Sequence, residues 1–450
     1  MRLSTRKMLD RSFSGLGMLS ILLMTATLAV LLVPIITRGL SAFVFRETVE
    51  HRRYLLARHN RGDADDLESE LAEVAEARKP VFDALKAFED ELESMSGARY
   101  RELSGPYEEI KTGIVELLGP ISGTGPLSDL TRDRYGQRRW DRAQVVIEDI
   151  LNEERWVLNP DTGWQEKQLV PRVDRFKGTR LESLFGYIEH HAEAILLPRW
   201  TFYWGFLTDE PEDDSMFGGI WPALLGTIYL TIGAMVFAVP MGVITAVYLV
   251  EYASADSRLV SILRVCISTL AGVPSIVFGL FGLAFFIYQL HVSDSKSVLA
   301  GSLTLAILIL PTVIRASEEA IRAVPQTYKQ AALSLGATRW RTVVTVILPA
   351  ALPGILTGII ISMGRAAGET APIIFTAAVS WGKPLGLGQL LGEGTPALPW
   401  NIYNLCTEHE AVEEIRHMQY GMVLVLVSLV LLLNVAAIVL RARIAKKLRG

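Results

Sequence analysis

Only two cysteines, Cys266 and Cys406, occur in 450 residues. That is too few for a disulfide framework, and they do not form a Cys-x-x-Cys pair of the kind used for zinc binding or redox exchange. They are also assigned to opposite sides of the membrane in the topology below, which argues against pairing. The chain has no Gly-x-x-x-x-Gly-Lys-Ser/Thr loop, so it cannot cradle a nucleoside triphosphate by that route. His-Glu-x-x-His and Gly-x-Ser-x-Gly are missing too, which removes two common hydrolase signatures. The net charge of −4 is small, and the basic residues gather at the ends of apolar runs, not in a patch suited to nucleic acid. An enzyme active site is therefore a poor expectation.

What the chain has in plenty is apolar length. Half its residues are hydrophobic and the mean hydropathy is +0.31, with membrane-length runs recurring along it. The first, within 13–37, follows a basic start at 1–12. It is long for a signal-peptide core and has no small-residue cleavage pattern after it, so it reads as an uncleaved span. Further spans are expected at about 219–249, 262–290, 298–316, 349–378 and 418–440, six in all. With the N-terminus cytoplasmic, the inner segments carry sixteen Lys and Arg, whereas the two short outer loops carry three, Lys296, Lys383 and Arg416. This is the bias expected of short cytoplasmic loops, and it places the C-terminal tail at 442–450 inside as well.

Residues 41–212 then form an outer domain. Leu67, Leu71, Val74, Val81, Leu85, Phe88, Leu92 and Met95 recur by threes and fours, a heptad seam that only Arg78 interrupts. Pro80 should kink that helix or divide it. Ile110, Ile114 and Leu117 predict a second helix. Gly119-Pro120 and the cluster Gly123 to Pro126 predict a loop, and a third helix is expected from about Trp140 to Val157. The simplest reading is an antiparallel helical hairpin, coiled-coil-like, with a sensor or docking role as the alternative. His190, His191 and Glu193 could suggest a metal, but adjacent histidines point to different helix faces. The aromatics from Trp200 to Trp204 beside Arg199 suit the lipid headgroup region.

The chemistry concentrates between 318 and 376. An apolar run there is interrupted by Arg365 and Glu369. An ionised side chain at the middle of a membrane helix costs about 2.5–3.5 kcal/mol on insertion scales. Four residues apart, the two share a helical face and can satisfy each other or a common ligand. Arg365 should lie roughly 17–21 Å from the inner end of its span, near the middle of the bilayer. On physical grounds a structural salt bridge and a polar pathway remain open.

Two resemblances narrow this. Gln330-Ala331-Ala332, with Gly336, Ala337 and then Val346 and Leu348-Pro349, resembles the "EAA" segment of ABC-importer permeases, although a glutamine stands where that family has glutamate. Gly364-Arg365-Ala366-Ala367-Gly368-Glu369-Thr370-Ala371-Pro372 is similar to the signature of the phosphate-transport permease family (PstA). So are Gly272-Val273-Pro274-Ser275 and Gly218-Gly219-Ile220. The likeness covers about 200–440 and leaves out most of 41–196. It implies an all-α membrane protein with a type I importer core at 217–441, in a bacterial inner membrane. Arg365, Glu369 and Thr370 would line a phosphate path. Gln330, Ala331, Ala332, Gly336 and Ala337, in the cytoplasmic segment 318–342, would dock on an ATPase. The implied partners are a homologous permease (PstC-like), an ATPase dimer (PstB-like), a periplasmic phosphate-binding protein (PstS-like) and membrane lipid. ATP and Mg²⁺ would belong to the ATPase, and no cofactor to this chain. A permease for sulfate or molybdate, and a phosphate-sensing receptor, are the alternatives.

Overall fold

The computed structural model describes residues 3–119, 139–158, 165–212, 217–254, 257–380, 382–409 and 415–449. The predicted loop at Pro120 and 123–126 lies outside the described residues. Helix α1, Leu3–Leu40, is the first apolar run. It leads into the outer domain, whose helices are α2 (Val49–His59), α3 (Ala64–Ser94), α4 (Gly97–Leu118), α5 (Trp140–Leu151) and α6 (Glu182–Leu196).

The seam of α3 buries Val81, Leu85 and Phe88 against Tyr107, Ile110 and Ile114 of α4, Val146 and Ile150 of α5, and Phe185 and Ile188 of α6. Each fully buried side chain of this size contributes about 1.5–3 kcal/mol, so four amphipathic helices close one core instead of a two-helix hairpin. Helix α3 runs unbroken through Pro80. Arg78 interrupts the seam because it is paired. It is buried at 7 % exposure, with Nη1 2.7 Å from Glu50 Oε1 and Nε donating to the Ile195 carbonyl. It thereby ties α3 to α2 and to the end of α6.

The third predicted helix is shorter than expected. It ends at Leu151, and Asn152–Leu158 (β2) pairs antiparallel with Gln165–Pro171 (β3). Glu153, Glu154, Arg155 and Trp156 do not continue the apolar face of α5, so nothing in the core holds them helical. Val44–Glu47 (β1) pairs with Arg199–Phe202 (β4) where the domain meets the spans. Trp200, Phe202 and Trp204 stand exposed beside this ribbon.

The permease region comprises α7 (Trp221–Tyr252), α8 (Arg258–Leu270), α9 (Ser275–Gln289), α10 (Val298–Arg322), α11 (Gln326–Ser334), α12 (Arg339–Gly368), α13 (Ala371–Thr376), α14 (Leu398–Thr407) and α15 (Arg416–Arg449). Among the described residues five helices, α1, α7, α10, α12 and α15, are long and apolar enough to cross a membrane. The expected third span is instead two helices, α8 and α9, bent by 103°. Pro274 lacks the amide hydrogen a continuing helix would need and sits in extended backbone (φ −57°, ψ 139°), so the helix stops and restarts at Ser275.

Packing settles how often this broken pair crosses. A Cβ at Gly233 would lie 2.2 Å from Ser302 Oγ, and one at Gly242 would lie 2.6 Å from Val313 Cγ1. Position numbers rise together, so α7 and α10 run parallel. The chain between them must therefore return from one end to the other, and α8 with α9 makes that single crossing. Six crossings result among the described residues. Helix α12 is antiparallel to α10, with Gly354 against Ala320 and Gly358 against Ala316. Helix α15 is antiparallel to α12, with Gly364 near Asn434 and Thr357 bonded to Arg441. The outer end of α1 meets the start of α15, where Arg38 donates to Tyr420 Oη at 3.0 Å. The far ends of α1 and α15 thus lie on the α11 side, opposite the outer domain.

Candidate functional site

Two clusters lie at different levels of the bundle. The first surrounds a break in the fifth span. Helix α12 stops at Gly368, Glu369 adopts extended backbone (φ −78°, ψ 125°), and α13 restarts at Ala371 with Pro372 in its first turn. The expected continuous span from 349 to 378 is thus two helices. Arg365 and Glu369 still meet, with Nε 3.2 Å from Oε1. Glu369 reaches back from the cap and not from the helix face itself.

Arg365 is not enclosed within this chain, because its side chain is 45 % exposed while that of Glu369 is 18 % exposed. It belongs to an open stripe on α12 made of Ala350, Ile361, Arg365 and Gly368, at helical spacing. The cation expected from the sequence to be buried is therefore half-exposed in this chain. Thr370 follows directly, half-buried, at the cap of α13.

A neighbour that the sequence reading did not assign lies against α13. A Cβ at Gly279 of α9 would lie 2.9 Å from Pro372 Cα and 3.0 Å from the Ala371 carbonyl oxygen, and one at Gly282 would lie 2.8 Å from Thr376 Cγ2. Helices α9 and α13 are therefore parallel and in backbone contact. Both begin within the bundle and rise toward the outer-domain side, where the Ser297 amide bonds to the Thr376 carbonyl. Ser275 lies one turn, about 6 Å, below Gly279, on the side of the Glu369 break. The positive end of a helix dipole thus faces the level of the Arg365–Glu369 pair. The glycine spacing in Ser275-Ile276-Val277-Phe278-Gly279-Leu280-Phe281-Gly282 was the available signal for this contact.

Beyond the outer ends of these helices, Lys296 donates to the Ala378 carbonyl at 3.1 Å. Burial pushes its ammonium pKa below the ordinary lysine value.

The second cluster is at the opposite end. The segment 318–342 comprises the last turn of α10, the separate helix α11 and the start of α12. Gln330, Ala331 and Ala332 lie on α11, which buries none of its residues. Gly336 has φ +82° with nothing within 4 Å of a built Cβ, so backbone conformation and not crowding calls for glycine. Its amide bonds to the Leu333 carbonyl and that of Ala337 to the Ala332 carbonyl, a Schellman end to the helix. Tyr328, Leu333, Leu335 and Trp340 are exposed around it, Leu335 at 89 %. No group of three or more His, Cys, Asp or Glu side chains that could hold a metal occurs among the described residues. His190 and His191 each turn a ring nitrogen to a carbonyl four residues back.

Residues 238–450 match the family model for the inner membrane component of binding-protein-dependent transport systems. The phosphate transport system permease protein PstA 1 of Mycobacterium tuberculosis is 38 % identical over 224 residues, covering 50 % of this chain and 71 % of the relative. The chain belongs to the PstA permease family. The PstA protein of Mycobacterium leprae is 35 % identical over 240 residues, 53 % of this chain and 75 % of that one. The probable ABC transporter permease YqgI of Bacillus subtilis is 35 % identical over 253 residues, 54 % and 84 % respectively. A solved structure, the inward-facing methionine transporter MetNI, covers 50 % of this chain and 94 % of its own at 21 % identity and a TM-score of 0.39. As a PstA-family permease, the chain is a multi-pass membrane subunit and not an enzyme. The family works with an ATPase and a substrate-binding protein. The outer domain's core, from Val81 to Leu196, precedes the residues matched by the family model.

Proposed function

We propose that this chain forms one half of a phosphate translocation pathway and that the Arg365–Glu369 pair is its anion gate. The observation that carries the reading is that pair's position, at a break between two half-spans with the start of α9 alongside. Phosphate offers several acceptor oxygens and at least one negative charge. A guanidinium supplies a planar fork of donors, stays protonated, and gives up water more readily than an ammonium. Glu369 occupies Arg365 when no anion is present, and it weakens the cation's hold enough for release. Half-helix starts facing the same level add donors without adding a trapping charge.

The open stripe on α12 calls for a facing wall, which a homologous permease (PstC-like) would supply. The exposed α11 and its flanking apolar groups would dock on a PstB-like ATPase, to which ATP and Mg²⁺ belong, while a PstS-like binding protein would deliver phosphate from the outer side. In this arrangement α11 and both chain ends face the cytoplasm of a bacterial cell and residues 41–212 face the periplasm. The names of the Mycobacterium relatives support phosphate over other oxyanions.

Reconstitution of the four components in liposomes tests this. ATP-driven phosphate uptake, uncompeted by a hundredfold excess of sulfate or molybdate, is expected. Uptake of sulfate or molybdate in preference to phosphate would reassign the substrate, and no uptake of any anion would remove the reading.

A further inference from the structure

Helix α11 is poorly anchored for a part meant to transmit force. It buries no residue. Pro325 precedes it and the left-handed Gly336 follows it, so the backbone at both ends favours a change of direction. Behind it lies a cavity of about 250 Å³ lined by Val250, Glu251, Ile321, Pro325, Gln326 and Lys329. Across that gap Lys329 Nζ reaches Glu251 Oε2 at 2.5 Å. Glu251 is itself buried, at 7 % exposure, in the last, π-helical turn of α7. Ala246, Val247, Ile321, Val343, Ile347 and Ala351 form one apolar cluster joining α7, α10 and α12, and Ile321 and Ile347 line the same cavity as Glu251.

A buried carboxylate needs a partner, because an unpaired charge there is strongly destabilising. Lys329 is the partner that the structure supplies. The carboxylate therefore holds the lysine, and through it the helix.

We propose that the Glu251–Lys329 ion pair is the strap that passes displacement of α11 into the second span. Lys329 is a positioning residue, and the pair converts motion of a surface helix into motion of α7 and the cluster it shares with α10 and α12. Without the strap, α11 swings between Pro325 and Gly336 while the spans stay still. This rests on the docking of an ATPase at α11 proposed above.

Lys329→Met is the primary test, read beside Lys329→Met combined with Glu251→Gln, which removes the strap without leaving the buried carboxylate unpaired. In the reconstituted complex, ATPase association and hydrolysis rates should stay within twofold of wild type. Phosphate taken up per ATP should fall at least about tenfold, equivalent to about 1.4 kcal/mol of lost coupling. The exchanged pair Glu251→Lys with Lys329→Glu should regain at least half of the wild-type ratio. A merely structural pair would lower hydrolysis and uptake together, so a proportional fall overturns the proposal. An unchanged ratio in Lys329→Met also overturns it. A wild-type complex that hydrolyses ATP without moving phosphate would instead bring down the underlying docking reading and leave the strap's geometry in place.

Discussion

Replacing Arg365 with alanine separates a translocating pair from a structural one, and the structure sets the size of the effect. The substitution removes charge-assisted hydrogen bonds to an anion, each contributing about 1.5–3 kcal/mol. It also leaves Glu369 unopposed. With the pair 3.2 Å apart, an anion seated where the guanidinium would hold it lies roughly 6 Å from that carboxylate. At an effective dielectric of about 20 the repulsion is about 3 kcal/mol. The Arg365 side chain is 45 % exposed in this chain, so both contributions are screened below these values. Even half of their sum slows uptake by about a hundredfold or more, since each 1.36 kcal/mol is a factor of ten. The assay is the initial rate of radiolabelled phosphate uptake, normalised to assembled complex. The double variant Arg365→Ala with Glu369→Ala removes the repulsion and should recover at least tenfold over the single variant. A single variant within threefold of wild type, or a double variant no faster than the single, would refute the reasoning. A helix-pinning salt bridge predicts the second pattern.

The parts of this protein that were legible in its sequence are those set by local period. The seam of α3 and the six apolar stretches follow from spacing and length alone, and so does the meeting of Arg365 with Glu369, one helical turn apart. What escaped depends on partners distant in sequence. Arg78 stood out as an exception, but its reason is Glu50, 28 positions earlier and on another helix. Residues 152–157 read as helix in the sequence because their strand partner in 165–171 declares itself only when paired. The breaks are instructive because prolines alone do not locate them. Pro34, Pro240, Pro311 and Pro353 lie inside unbroken helices, whereas Pro274 and Pro372 stand at breaks. Each of these two has a glycine shortly before it, Gly272 and Gly368, which lets the backbone leave the helix cheaply. The exposure of Arg365 was not readable at all, because span composition cannot tell a helix face packed within one chain from one left open. Glu251 and Lys329 carry no motif that joins them.

Two further tests concern the docking end and the outer domain. Gly336→Val forces a side chain into the left-handed region at a cost of about 1–2 kcal/mol, so co-purification of the ATPase should weaken roughly tenfold, and undiminished association would count against docking there. In the outer domain, Glu50→Gln strips the counter-charge from Arg78, whose Nη2 already has no hydrogen-bond partner among the described residues. Breaking one side of a buried pair costs about 3–5 kcal/mol, whereas replacing both partners with apolar residues of similar volume is often neutral or stabilising. The single variant should therefore open α3 to protease at markedly lower urea in the full-length chain. Glu50→Leu combined with Arg78→Met should return the midpoint to wild type or above, because the seam of α3 then runs unbroken from Val74 to Leu92. Arg78 also donates to the Ile195 carbonyl, and methionine leaves that acceptor bare, which limits the gain. If the double variant opens as readily as the single, that carbonyl contact and not the ion pair holds α6 to α3. The interruption in the seam would then exist for the backbone it satisfies.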